Sequence, residues 1–480
     1  MTLTAHTERL QEMERLPIVV GAASGILGVG LVLVAGRAPV TAIGICLGIL
    51  FVCLVLIDVT LGLSAFVLLQ FFATLPGADG QDLTVIKLAG GVLVLGWLAA
   101  MTSARERRRA SGFMATFPVV SLALIAFILW GVLGLLWAPA DDLVSEDLQR
   151  FALNFVLVAI IATAIRSRRD LTLVIGTFAI GGALSALVGL IFVPPETDGR
   201  LGGTIGQSND FAAALVPAAI LAVGMAWSSR TRFRQLVFAG AAVLCIAGVV
   251  LSLSRLGFIA LPLAFLAWAV FGGRWRPRII GILCLAAAVG AAVFLLAAPA
   301  QHRDRVFDTG GGGSGRTDLW TVAARVWEDH PVRGVGYGNF IEVAPEYTLR
   351  PGLLQRVDLI VDDPHHAHNM YLGTLAEGGL VGFGLLMVVI GGGLLASMRA
   401  ARIFERIGDV RSELLARSVF AAQAGVLVAG FFIYTQFERP MWIAIGLGLG
   451  TYGLAVVTRR ERTAALERLP RPETLATASS

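Results

Sequence analysis

Long apolar runs are the feature that most limits how this chain can fold. Fourteen of them recur along the 480 residues, for example at 171–193 and 279–298. Most are close to the roughly 17–25 residues that an α-helix needs to cross a bilayer. Hydrophobic residues make up 56% of the chain and charged residues 15%, against roughly 45–50% and about 25% in soluble proteins. These values exclude a disordered chain, a coiled coil and an ordinary cytosolic enzyme.

We predict that each apolar run is an α-helix, because lipid offers backbone N–H and C=O groups no other partner. The fold class predicted is an all-α polytopic transmembrane helical bundle of about 12–14 spans, in which the third and sixth runs are the shortest. One large external loop separates spans 11 and 12. The predicted spans are 17–36, 39–57, 60–75, 84–101, 115–137, 150–165, 171–193, 210–227, 235–253, 256–272, 279–298, 369–398, 417–437 and 440–458.

Arginine clusters give the predicted orientation, since basic residues concentrate in cytoplasmic loops. Every cluster follows an even-numbered span, whereas the loop after the fifth span is acidic. We therefore expect the clusters and both termini to be cytoplasmic. The clusters are Arg105 with Arg107, Arg108 and Arg109; Arg166, Arg168 and Arg169; Arg230, Arg232 and Arg234; Arg274, Arg276 and Arg278; Arg399, Arg402, Arg406, Arg411 and Arg417; and Arg459, Arg460 and Arg462.

The predicted organisation has five segments. A cytoplasmic N-terminal segment, 1–16, precedes the first eleven transmembrane helices, 17–298. A large external loop, 299–368, leads to the last three helices, 369–458, and a disordered cytoplasmic tail, 459–480.

The external loop contains one predicted helix, 316–330, which Pro331 ends. Trp320 and Trp327 are seven residues apart and so lie on one face of this helix. Such a helix either lies along the membrane interface or packs its tryptophans on the helices below, and both interpretations remain open.

Three arginines are not explained by topology. Arg200 lies in an external loop, Arg255 falls between two spans with almost no loop to hold it, and Arg316 begins the loop helix. A charge at membrane depth is costly and usually faces a cavity or a partner. The alternatives are a solvated loop residue for Arg200 and snorkelling to the headgroups for Arg255. For Arg316 they are pairing with Asp318 or simple solvation. Glu377, inside the twelfth span, is a weaker candidate that could instead pair with an arginine.

Half of the six histidines precede the twelfth span, as His365, His366 and His368. Together with Asp362 and Asp363 they could be read as metal ligands, although no structural-zinc spacing is present. Another interpretation is that His368, the last before the membrane, is a general base or hydrogen-bond partner at the lipid–water boundary. The alternative is a solvated interfacial histidine.

Arginines grouped with a histidine suit chemistry on a lipid-linked sugar diphosphate. Guanidinium groups match phosphate oxygens with paired donors, and a histidine near pH 7 removes a proton from an acceptor hydroxyl. A transporter of an anionic solute is the non-enzymatic alternative, because intramembrane arginines also line such paths. Nucleic-acid binding is not expected, since the arginines cluster between apolar runs.

At these residues the sequence resembles the superfamily of O-antigen ligases and O-antigen polymerases. The resemblance covers about 194–398. It rests on Gly202-Gly203-Thr204, Ser208-Asn209-Asp210-Phe211-Ala212, Ser254-Arg255, Ser314-Gly315-Arg316-Thr317-Asp318-Leu319-Trp320, Gly334-Val335-Gly336-Tyr337-Gly338-Asn339-Phe340, Ala367-His368-Asn369-Met370-Tyr371-Leu372 and Glu377-Gly378-Gly379-Leu380.

The resemblance implies an inverting, metal-independent glycosyltransferase with a GT-C-like fold and no cofactor. It would move a glycan from undecaprenyl pyrophosphate to an acceptor hydroxyl on the outer, periplasmic face of the cytoplasmic (inner) membrane. Its partners would be the lipid-linked donor, membrane lipids, and a glycan or lipid acceptor such as lipid A-core. A polysaccharide polymerase and a protein O-oligosaccharyltransferase of the same superfamily remain alternatives to a ligase.

The resemblance also implies roles for individual residues. Arg200 and Arg255 would bind the pyrophosphate, and Arg316 would position the phosphate or the external helix. His368 would act on the acceptor as a catalytic residue together with Arg255, although the neighbouring histidines leave the identity of the base open. The remaining predicted substrate contacts are Asn209, Asn369 and Trp320.

Overall fold

The computed structural model describes residues 39–72, 82–102, 112–196, 199–297, 315–352, 354–362 and 364–467. Within these ranges every regular element is a helix, which confirms the all-α fold class. Seven of the described helices are long and apolar enough to cross a membrane, and shorter apolar helices accompany them. The protein is therefore a polytopic helical bundle.

Thirteen of the predicted spans each overlap one helix, and the first, 17–36, lies outside the described residues. Among the described residues, three further helices, α11 to α13, lie between α10 and α14. The helices are α1 (Pro39–Ile57), α2 (Val59–Leu69), α3 (Asp82–Ala100), α4 (Pro118–Gly134), α5 (Asp141–Ala164), α6 (Arg168–Phe192), α7 (Ser208–Ser228), α8 (Arg232–Leu251), α9 (Arg255–Phe271), α10 (Arg276–Ala297), α11 (Arg316–Asp329), α12 (Phe340–Tyr347), α13 (Asp358–Val361), α14 (Met370–Arg406), α15 (Val410–Ala429) and α16 (Arg439–Glu467).

Helix ends differ from the prediction where polar residues extend a helix or a turn interrupts an apolar run. Helix α5 begins at Asp141, well before the predicted start, because acidic residues in a first turn are favourable beside the helix dipole. Helix α15 ends at Ala429, and the apolar residues after it form a non-helical segment, 430–438, with one short 3₁₀ turn. Hydropathy alone does not distinguish such a turn from helix.

Helix α7 is the centre of the bundle. It packs against α6, α8, α9 and α15, and it is buried on nearly every side. A helix that is apolar all round lies either inside a protein core or in lipid, and neighbouring helices cover most of the surface of α7. Its first turn, which carries Asn209 and Asp210, is therefore held firmly at one end of the bundle.

The arginine clusters join neighbouring loops at one end of the bundle, here called the basic end. Arg168 pairs with Asp409, and Arg274 pairs with Glu413. Arg417 Nε lies 2.9 Å from Glu413 Oε1. The loops that carry Arg200, Arg255 and the segment 315–369 follow or precede the opposite ends of the same helices. The predicted division of the loops into two sides therefore agrees with the path of the chain.

The chain that follows α11 crosses α14 where that helix is broken at Gly379, which has φ 62° and ψ −168°. Val335 N donates to Ala376 O at 3.0 Å, and Leu380 N donates to Pro331 O at 2.8 Å. The segment thus supplies backbone partners that the broken helix lacks, as irregular backbone at membrane depth requires. This contact gives a physical reason for the glycines in two of the sequence motifs.

Replacing Gly379 by alanine is expected to lower the free energy of unfolding by on the order of 2 kcal/mol or more. An added Cβ would lie 2.2 Å from Val332 O, and the backbone conformation itself is one that glycine alone adopts easily. Gly384→Ala is the matched control, because nothing lies within 4 Å of a Cβ there. Unfolding of both variants in detergent checks this, and equal midpoints would contradict it.

Candidate anion-binding site

Arg200 is fixed beside the turn between α8 and α9. Its Nε donates to Ser252 O at 3.1 Å, and its Nη2 donates to Asn209 Oδ1 at 2.8 Å. Glu196 Oε2 lies 3.9 Å from Nη1, and 16% of the arginine side chain is exposed. The alternative of a freely solvated loop residue is therefore wrong.

Asn209 links three elements through one amide oxygen. Besides the bond from Arg200, its Oδ1 accepts a hydrogen bond from Ser254 Oγ at 2.7 Å. Ser254 is buried and directly precedes Arg255, the first residue of α9. Because Asn209 belongs to the first turn of α7, this one side chain holds Arg200 and the start of α9 against the central helix.

Arg316 lies close to both of these arginines. Burial lowers the pKa of Arg316, and the positive charges of Arg200 and Arg255 lower it further, while Asp210 acts in the opposite direction. Charges act on one another this way only at short range. The structure thus brings together three guanidinium groups from segments that are far apart in the sequence.

Asp318 is not the partner of Arg316. Its Oδ2 accepts hydrogen bonds from the backbone N–H groups of Gln355 and Arg356, both at 2.6 Å. These bonds tie the start of α11 to the chain that leads into α13. Arg316 is therefore not neutralised by the nearest carboxylate in sequence.

The predicted loop helix is present as α11, and it packs on α14 and α12. Its buried side includes Leu319 and Val322, and Trp320 is half-buried against the same cluster. Trp320 Nε1 is enclosed without a hydrogen-bond partner among the described residues. The interpretation in which tryptophan packs on the helices below agrees with the position of Trp320.

Helix N-termini meet at the three arginines. Arg255 and Arg316 are the first residues of α9 and α11, and Asn209 lies in the first turn of α7. The N-terminus of a helix carries partial positive charge, so an arginine there is unfavourable for the helix itself. The same arrangement of peptide N–H groups and cations is favourable once an anion binds.

His368 adjoins this positive region, just before α14. Burial lowers the pKa of His368 to about 4, and the charge of Arg316 and the neighbouring His365 and His366 contribute to the lowering. The imidazole is therefore neutral at pH 7 and has a lone pair that accepts a proton.

Backbone strain is concentrated at the same place. Among the described residues, Leu253 (φ 48°) and His368 (φ 46°) are the non-glycine residues with positive φ. One lies in the turn that carries Ser254 and Arg255, and the other carries the candidate base. Conformations of this kind cost about 1–3 kcal/mol each and cluster at functional sites. The strain thus supports a functional role for both segments.

His366 faces a different environment from His368. Its ring stacks on Tyr434 with centroids 4.9 Å apart, and Tyr434 Oη donates to Glu377 Oε2 at 2.6 Å. Burial lowers the pKa of His366, and the arginine that contributes is Arg150 rather than Arg316. His366 therefore supports the loop, and His368 is the histidine beside the arginines.

Glu377 is buried and forms no ion pair with an arginine in the described parts of the chain, so the alternative of an arginine partner is wrong and Tyr434 takes that place.

Asn369 is the N-cap of α14, and its Oδ1 accepts from the N–H groups of Tyr371 and Leu372 at 3.0 and 3.1 Å. Its amide nitrogen is the group left for a ligand.

The metal interpretation gains no support from the described residues, which contain no group of three or more side chains able to hold a metal ion.

The sequence analysis missed a crevice that adjoins the arginines. Asp210, Glu438 and Arg439 line it together with Gln70. Asp210 lies within one of the quoted motifs, and Glu438 and Arg439 are a charged pair between two apolar spans. A charged pair in so short an external connection is the signal that could have identified these residues.

The fold and this geometry define a polytopic membrane protein with a candidate anion-binding site at one end of its bundle. Residues 240–387 match the family model described as O-antigen ligase. The matched residues make up less than half of the chain, and they support its resemblance to the O-antigen ligase superfamily, whose members are membrane glycosyltransferases of the ligase or polymerase type. The matched segment contains Arg255, Arg316 and His368, whereas Arg200 and Asn209 precede it. A search of curated proteins found no match.

Proposed function

We propose that the protein transfers a glycan from undecaprenyl pyrophosphate to an acceptor hydroxyl at the outer face of the cytoplasmic membrane, as an O-antigen ligase does. The observation that carries this proposal is the convergence of Arg200, Arg255 and Arg316 beside the neutral imidazole of His368. Such a site offers cations to a leaving diphosphate and a base to an incoming hydroxyl.

The arginines would hold the pyrophosphate and stabilise it as the leaving group. When the bond between the sugar C1 and the phosphate oxygen breaks, both electrons of that bond pass to the pyrophosphate. Guanidinium groups already in position neutralise this growing charge without reorganising, which is how a preorganised site lowers a barrier. Arg200 suits this role because Asn209 and Ser252 fix its orientation.

His368 would accept the proton of the acceptor hydroxyl. The hydroxyl oxygen forms its new bond to C1 on the side opposite the pyrophosphate, so the configuration at C1 inverts. The proton passes to an imidazole nitrogen of His368, and the departing undecaprenyl pyrophosphate carries the electrons of the broken bond. The bound pyrophosphate offsets the charge of Arg316, which raises the proton affinity of the imidazole when a base is needed.

A reconstituted assay tests the proposal. Purified protein in liposomes receives undecaprenyl-pyrophosphate glycan in EDTA, with lipid A-core as one acceptor and a second lipid-linked repeat as the other. We expect transfer to persist in EDTA, because the arginines supply the positive charge. If the protein is a ligase, transfer should favour lipid A-core. Activity that needs an added divalent ion would overturn the mechanism, and elongation of the second repeat would indicate a polymerase.

Cysteine labelling checks the proposed orientation. Native Cys46, Cys53 and Cys284 are exposed, so the variants are made in a cysteine-free background. Leu349→Cys, at a side chain that is 87% exposed in the segment before α13, is expected to react with an impermeant maleimide in right-side-out vesicles. Thr463→Cys, near the end of α16, is expected to react only after permeabilisation. The reverse pattern would invert the orientation.

A further inference from the structure

A small polar crevice lies next to the arginines and is not used by the mechanism above. Its volume is about 70 Å³. Small or apolar residues such as Ala213, Ala214 and Met441 form part of its wall. The polar residues that line it come from the C-cap of α2, the first turn of α7, the 3₁₀ turn with its C-cap, and the start of α16. They are Gln70, Asp210, Thr435, Glu438 and Arg439.

The carboxyl groups of this crevice have no bonding partner among the described residues. Many protein atoms surround Glu438, but its side chain is still exposed, and it lines the crevice. Neither Asp210 nor Glu438 forms an ion pair or a side-chain hydrogen bond with any residue in the described ranges. Arg439 attracts Glu438 electrostatically but is likewise without an ion pair there. These acceptors and donors therefore face the space between them.

Sugar rings match this combination of groups. Each hydroxyl of a sugar donates one hydrogen bond and accepts others, so carboxylates, an amide and a guanidinium in one wall suit adjacent hydroxyls. Hydrogen bonds to charged groups are the stronger ones. Small apolar residues such as Ala213 and Ala214 leave room for the C–H face of a ring. A space of about 70 Å³ receives the edge of one sugar rather than a whole glycan repeat.

The crevice and the anion-binding site share the first turn of α7. Asp210 follows Asn209, which holds Arg200, and Asp210 itself lies within electrostatic range of Arg316. A ring bound at Asp210 is therefore the one directly linked to a phosphate held by the arginines.

We propose that Asp210 and Glu438 bind hydroxyl groups of the sugar that is attached to the donor pyrophosphate. This inference rests on the proposed function, because it takes the anion held by the arginines to be a lipid pyrophosphate. It adds that the protein selects its donor by that first sugar as well as by the diphosphate.

The test compares the binding of two kinds of lipid to the purified full-length protein in detergent. One is bare undecaprenyl pyrophosphate, and the others carry one glucose, galactose or N-acetylglucosamine. We expect the wild-type protein to bind at least one glycosylated lipid more tightly than the bare lipid. Glu438→Ala should weaken the binding of that glycosylated lipid at least fivefold and leave the binding of the bare lipid unchanged. Glu438→Gln, which keeps the shape of the side chain, is expected to show a smaller loss in the same direction.

Glu346→Ala is the matched control, since Glu346 is an exposed carboxylate of α12 far from the crevice in sequence. It is expected to bind both kinds of lipid as the wild type does. Three outcomes would overturn this inference alone. Glu438→Ala could lose affinity equally for both kinds of lipid, it could lose affinity for neither, or the wild type could show no preference between them. A rise in the KM for the acceptor with unchanged donor binding would assign the crevice to the acceptor sugar and overturn it too. A wild-type protein that binds no undecaprenyl pyrophosphate would overturn the proposed function itself.

Discussion

Replacing Arg255 by alanine is expected to lower kcat/KM for glycan transfer by at least about a hundredfold. Arg255 begins α9, where the helix dipole opposes a cation, so its position does not stabilise the helix. The strained turn at Leu253 and the bonds of Ser254 and Asn209 place it beside Arg316. Initial rates with reconstituted protein and the lipid-linked donor provide the measurement.

Two variants separate the role of the guanidinium from that of charge alone. Arg255→Lys keeps the charge but loses the paired donors that match phosphate oxygens, so we expect activity between those of the wild type and the alanine variant. Arg333→Ala removes an arginine between α11 and α12, which is exposed and lies over the ring of Trp137, and this variant is expected to retain wild-type activity. Wild-type kcat/KM in Arg255→Ala would remove Arg255 from the site.

The helices of the bundle follow from the sequence because membrane burial acts on each run independently. An apolar run in lipid has to form helix whatever surrounds it, and thirteen predicted spans accordingly overlap a helix. The prediction fails in detail where tertiary contacts decide. The broken turn at Gly379 depends on the crossing segment near Val335, and the turn after Ala429 occurs within apolar sequence.

The candidate site was predictable as a set of residue types but not as an arrangement. Arg200 and Arg255 are conspicuous because charge on an external loop or between adjoining spans needs an explanation. Their proximity depends on Asn209, whose single oxygen accepts from both Arg200 and Ser254. No periodicity or spacing encodes such a contact, since it joins loops that only the packing around α7 brings together.

The same reasoning explains which residues were misjudged. Glu377 is a weaker site candidate in the sequence, with an arginine partner as the alternative, but the folded chain supplies the hydroxyl of Tyr434. Glu438 does not stand out in the sequence, because a charge next to a span end is usually solvated. Its position at a crevice beside Asp210 becomes visible only when α16 and α7 are placed together.

Replacing His368 by alanine is expected to abolish measurable transfer while leaving donor binding within a few-fold of the wild type. The imidazole receives the hydroxyl proton, and losing a general base typically costs about 10²–10⁴-fold in rate. The arginines that bind pyrophosphate remain in this variant. His330→Ala, which changes another histidine of the external segment at the end of α11, is the control and should keep wild-type activity. Full activity of His368→Ala would exclude it as the base.

The pH dependence of the wild-type enzyme gives a second measure of the same group. Burial and Arg316 lower the pKa of free His368 to about 4, so the neutral, active form persists at pH values well below 7 and is lost as the pH falls through that pKa. The profile of kcat/KM reports the free enzyme, and that of kcat reports the complex. Because bound pyrophosphate offsets the charge of Arg316, we expect the acid limb of kcat to lie at higher pH than that of kcat/KM. Coincident limbs, or a kcat limb at lower pH, would mean that the diphosphate does not bind beside His368.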